Sequence, residues 1–68
     1  MTRVILFDKK SVHIDGYKSI ISFDEENVRL QCSKCILEVY GSKLYIASFT
    51  GIEMEIKGVI EGVRWLNS

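Results

Sequence analysis

Sixty-eight residues, 47% of them hydrophobic, set a single small domain over 1–68. Nine basic and nine acidic side chains cancel to a formal net charge of zero, so the chain has no field to draw a polyanion, and nucleic acid is excluded as an expected partner. No apolar run exceeds four residues (Val4-Ile5-Leu6-Phe7), which is far too short for a membrane span, and no cleavable secretory leader is visible, so a cytoplasmic protein is expected.

In chain order, Arg3 to Phe7 is apolar and β-branched enough for a first strand, followed by a turn at Asp8-Lys9-Lys10. Ser11 to Asp15 alternates with Val12 and Ile14 inward and His13 on the polar face, and Gly16 ends it. Tyr17 to Phe23 is a third run, with Tyr17, Ser19, Ile21 and Phe23 on one face and Ile20 on the other. Asp24-Glu25-Glu26-Asn27 is a polar turn, and Val28 to Cys32 alternates again. The stretch Cys35 to Ser48 reads as a hairpin about Gly41-Ser42, a good type II′ turn because Gly takes φ > 0 at its first central position. That register sets Tyr40 against Lys43, Val39 against Leu44, Glu38 against Tyr45 and Leu37 against Ile46. It leaves Leu37, Val39, Leu44 and Ile46 on one apolar face.

Phe49-Thr50-Gly51 connects to Ile52–Lys57, which alternates strictly. Gly58 interrupts, and Val59 to Leu66 is a last strand with a bulge expected near Gly58 or Gly62. The motif Ile/Val-x-Gly ends at Gly16, Gly41, Gly58 and Gly62. Its spacing is irregular, so it reads as strand ends and not as a repeat array. A helix over Asp24 to Tyr40 competes, since Val28, Cys32, Cys35, Ile36 and Val39 form a helical stripe behind a Ser22-x-x-Glu25 capping box. Strands account for Leu30 and Leu37, which that helix leaves off its stripe. The predicted fold is therefore all-β: a small antiparallel β-sandwich-like domain of seven to eight short strands in two layers.

Little in the chain declares chemistry. Cys32-Ser33-Lys34-Cys35 has the spacing of half a zinc site or a redox pair. His13 is the only histidine and no other cysteine exists, and a reactive thiol needs a helix N-terminus or a cation to lower its pKa. The pair reads as two small apolar residues flanking a Ser-Lys turn. Likewise, His13 reads as solvent-facing, and Asp24-Glu25-Glu26 lacks the spaced oxygens calcium needs. No catalytic, cofactor or metal residue is assigned, and no enzyme activity is expected. Tyr40, Tyr45 and Trp65 are amphipathic aromatics of the kind that anchor interfaces, and they are the candidate interaction residues. Val28–Cys32 and Ile52–Lys57, with no Pro and no inward charge, are expected as open edges that pair with another chain.

Several stretches in order carry a resemblance. They are Val12-His13-Ile14-Asp15-Gly16, Ile21-Ser22-Phe23-Asp24, Val28-Arg29-Leu30, Leu37 to Ile46, and Met54 to Val63. Together they resemble the YabP/YqfC family of bacterial sporulation proteins over nearly the whole chain. The most specific parts are Gly41-x-x-Leu44-x-Ile46 and Ile56-x-Gly58-x-Ile60. The Cys32/Cys35 pair is not part of that pattern, and Trp65 stands where an aromatic, often Tyr, is expected. The resemblance implies a small β-sandwich-like domain needed in endospore formation, without known catalytic residues. The expected function is that of a non-catalytic interaction or scaffold protein, with another sporulation protein as partner and self-association as a homodimer. A redox- or metal-responsive module built on Cys32 and Cys35 is the alternative.

Overall fold

The computed structural model describes residues 3–67, with the side chains of residue 4 and residues 8–66. Six strands form: β1 (Arg3–Phe7), β2 (Ser11–Asp15), β3 (Ser19–Phe23), β4 (Asn27–Gln31), β5 (Cys35–Phe49) and β6 (Glu53–Asn67). They make one antiparallel sheet in the order β1-β2-β6-β5-β4-β3. The all-β class stands. The seven to eight strands and the two separate sheets of a sandwich are corrected to six strands in one sheet. The competing helix over Asp24 to Tyr40 is absent, because those residues hold β4 and the first six residues of β5.

The count falls because two expected breaks do not occur. β5 runs through Gly41 and Ser42 as one 15-residue strand. A II′ turn needs φ > 0 at Gly41, and the glycines with positive φ among the described residues are Gly16 and Gly58. The real turn is at Thr50–Ile52, closed by Thr50 N–H donating to Glu53 O (2.7 Å) and Glu53 N–H donating to Thr50 Oγ1 (3.1 Å). The local hairpin would have left residues 35–40 paired on one side. Lying between β4 and β6 instead, their backbone groups are paired on both. The register is rewritten accordingly. Val39 faces Val28 and Val63, and Leu37 faces Leu30 and Trp65. In the same way, the expected Ile52–Lys57 run, from Glu53 on, and Val59–Leu66 merge into β6, and the expected bend falls at Gly58, whose φ is 135°.

Gly41 and Gly58 serve close approach. A Cβ on Gly41 would overlap the Val59 carbonyl oxygen, and one on Gly58 would lie 2.5 Å from the Lys43 carbonyl oxygen. Lys43 itself takes a left-handed φ of 54°, in a stretch where the β5–β6 register shifts. At this crossing the two long strands bend. A straight 15-residue strand would reach roughly 46 Å at about 3.3 Å per step, while the longest dimension of the molecule is 27 Å. Bending brings both ends of the sheet onto one core. Val12, Ile14, Met54 and Ile56 at one end share a single buried cluster with Val28, Leu30, Leu37 and Val39 at the other. One flat sheet with no covering helix would leave these residues wet on their own face.

The bent sheet is internally repeated. Phe7-Asp8-Lys9-Lys10-Ser11-Val12-His13-Ile14 matches Phe23-Asp24-Glu25-Glu26-Asn27-Val28-Arg29-Leu30, and Leu37-Glu38-Val39-Tyr40-Gly41 matches Met54-Glu55-Ile56-Lys57-Gly58. The geometry repeats too. Asp8 Oδ1 accepts from the N–H groups of Lys10 and Ser11 at 2.7 and 2.8 Å, and Asp24 Oδ1 accepts from those of Glu26 and Asn27, both at 2.7 Å. Register shifts fall between Val4 and Leu6 in β1 and between Ile20 and Ser22 in β3. Gly58 N–H donates to Lys10 O and Gly41 N–H to Glu26 O. Two hairpins with like turns therefore dock on like glycines, and the strand order reads the same when the halves are exchanged. The irregular glycine spacing hid this. Two of the four motifs, at Gly41 and Gly58, occupy equivalent places.

The true edges are β1 and β3. Val28–Cys32 and Ile52–Lys57, expected at the edges, lie mostly within the interior strands β4 and β6.

Candidate interaction surface

The three aromatics singled out in the sequence do not form one patch. Tyr40 faces Gly62 across β5 and β6, on the side of the sheet away from the core, and its ring lies where a Gly62 side chain would be. The Arg64 guanidinium sits 4.6 Å from the ring centroid. Tyr45 is 52% exposed at the other end of β5, opposite Lys57. It lines an open cleft with Lys10, Ser11, Gly58 and Val59. Trp65 is 50% exposed opposite Leu37, on the core side of the sheet, where β6 has β5 on one flank only.

What the sequence missed beside Tyr40 is a buried carboxylate. Glu38 is as inaccessible as the aliphatic core. Arg29 on β4 and Arg64 on β6 lie opposite it on its two flanks. Arg29 Nε donates to Oε2 at 2.9 Å and Arg64 Nε donates to Oε1. The hydrogen bond from Arg64, then that from Arg29, holds the Glu38 carboxyl below its ordinary value of 4.5 against the opposing effect of burial. The two arginines cover the carboxylate with half-exposed side chains. Only a register that places Arg29 and Arg64 beside Glu38 reveals the cluster, and the expected hairpin paired Glu38 with Tyr45.

The sequence also missed the β3 edge. All five residues of Ser19–Phe23 are exposed, with Ile20, Ile21 and Phe23 at 43%, 47% and 48%. Alternation put Ile20 on the face opposite Phe23. The structure puts them on the same face, because Ile20 lies opposite Leu30 and Phe23 opposite Val28, two core residues, with Ile21 as the extra residue of a bulge between them. Tyr17, read as part of this strand, precedes it. It is buried and donates its hydroxyl to Thr50 O at 2.9 Å. β3 holds no charge and no Pro, and its outer side has no neighbouring strand in the sheet.

The cysteines flank the expected Ser33-Lys34 turn, with Cys32 N–H donating to Cys35 O at 2.9 Å. Both are free thiols, Cys32 buried and Cys35 half-buried. Desolvation, then the neighbouring Cys32, pushes the Cys35 thiol up, away from the thiolate that redox exchange or zinc binding needs. His13, read as solvent-facing, is partly exposed, but its Nε2 is buried without a hydrogen bond, 3.5 Å from Glu53 Oε1. Among the described residues no group of three or more His, Cys, Asp or Glu could hold a metal ion. No helix among them is long and apolar enough to cross a membrane.

No curated protein matches the chain. The model of the YabP family matches residues 1–68, and the chain belongs to the YabP family.

Proposed function

We propose that this YabP-family chain is a non-catalytic interaction protein of bacterial endospore formation, working in the cytoplasm of the sporulating cell with another sporulation protein as partner. Membership of the family supports the sporulation role. The observation that carries the interaction reading is the uncharged, exposed β3 edge, which offers backbone N–H and C=O groups and apolar side chains together. Charged groups with defined partners serve the fold: Glu38 accepts from Arg29 and Arg64, and Asp8 and Asp24 cap their turns.

A complementation assay tests this. A strain lacking the gene should lose heat-resistant spores. The Cys32→Ser, Cys35→Ser variant should restore them, and the Ile20→Glu, Phe23→Glu variant should not, although it folds in vitro. Full restoration by the β3 variant removes the edge from the function. Failure of the thiol variant shifts the reading to the cysteine pair.

A further inference from the structure

We propose that the partner on the β3 edge is a second copy of this chain, paired β3 to β3 about a dyad between Ile21 and Ser22. This rests on reading β3 as the interaction edge and names its occupant. The bulge decides the register. Because it sets Ile20 and Phe23, three residues apart, on one face, an antiparallel copy can pair both of these core-side residues within β3 only when Ile20 meets Phe23 of the second copy, and by symmetry Phe23 meets Ile20. The same register sets Ile21 against Ser22 and Ser19 against Asp24. It also brings Lys18, just before β3, near Glu25 of the turn that follows β3, at both ends of the pairing.

Slipping by one residue destroys this match. One direction sets Ile20 against Ser22 and Phe23 against Ser19, crossing core-side residues with outer ones. The other sets Ile20 against Asp24. The favoured register alone combines apolar pairs on the core side with two opposite-charge pairs at the rim, and both Lys18 and Glu25 are exposed. The outcome joins two six-stranded sheets into one and extends the core-side apolar face across the dyad. One short strand per subunit makes a small interface, so a dissociation constant on the order of micromolar is expected.

Light scattering behind a sizing column, over a concentration series of the purified chain, should show a monomer–dimer equilibrium. Lys18→Glu and Glu25→Lys should each weaken the dimer about tenfold, since each change turns both rim pairs repulsive. The double variant K18E/E25K should restore wild-type affinity. Circular dichroism checks that each single variant is folded, as expected for changes at exposed residues. A monomer at all concentrations, species larger than a dimer, or a double variant that stays as weak as the singles overturns the dyad. The two proposals fail separately. A strictly monomeric chain whose loss still abolishes spores sinks the dimer and leaves the interaction reading in place. A dimer whose loss leaves spore yield unchanged does the reverse.

Discussion

Glu38 shows what one residue can do in a chain this small. A buried carboxylate is costly unless every charge on it is answered, and here Arg64 and Arg29 answer both oxygens. Replacing it by Ala strands two arginines. Glu38→Ala is expected to cost about 2–4 kcal/mol in urea unfolding at neutral pH. Glu38→Gln should cost about 1–3 kcal/mol, because a neutral amide accepts only one of the two charge-assisted bonds. The pH dependence follows from the direction of the shift. The folded-state pKa lies below the ordinary 4.5, so the carboxylate's stabilisation is fully present above that value and is lost as pH falls through the lowered one. The gap between wild type and Glu38→Gln should therefore hold from pH 7 down to about 5 and close in more acid solution. A gap that persists unchanged at about pH 2 would remove the ion cluster as its cause. The glycines give a second test at this scale. Gly41→Ala and Gly58→Ala place a methyl on the backbone of the facing strand and should each cost more than about 2 kcal/mol. Gly51→Ala, in open space, should stay within about 0.5 kcal/mol or stabilise slightly.

Among the elements, β5 is the one on which the others depend. It pairs with β4 along its first half and with β6 along nearly its whole length. Val39, fully buried between Val28 and Val63, sits at the middle of the shared core. Val39→Asp leaves an unpaired charge there and is expected to abolish the cooperative unfolding transition altogether. A folded, dispersed amide spectrum for that variant would contradict the packing. The β4–β5 turn is less demanding. The Cys32→Ser, Cys35→Ser variant keeps the Cys32–Cys35 backbone bond and both side-chain volumes nearly intact. Its melting temperature should fall by no more than about 8 °C, the effect of roughly 1 kcal/mol in a domain of this size. Stoichiometric zinc in purified wild type would overturn the reading of these thiols as turn flanks.

At the scale of the whole molecule, the repeat and the bend explain how so short a chain buries a core. Two like hairpins dock on like glycines of two long strands, and bending those strands folds one sheet over a single apolar cluster. Part of this was legible in the sequence. Alternation put Val12, Ile14, Val28, Leu30, Leu37, Val39, Leu44, Met54 and Ile56 inward, and all nine are buried, whereas Ile46 on the same expected face is only partly buried and Ile52, in phase with Met54, is exposed. The repeat was legible too, in the match of Phe7–Ile14 with Phe23–Leu30, although glycine spacing alone concealed it. Alternation fixes the face a side chain takes, because the pleat is a local property of the backbone. It does not fix the strand that lies alongside. Gly41-Ser42 suits a turn and a close crossing equally well, and only the presence of β6 beside it, with paired backbone groups on both flanks, selected the crossing. The Glu38 cluster and the shared face of Ile20 and Phe23 depend on that pairing and on a bulge. Interstrand register and bulges arise from contacts between segments far apart in the chain. The sequence by itself therefore determined the strand class, the buried set and the family, and the tertiary structure decided who pairs with whom and which edge is left open.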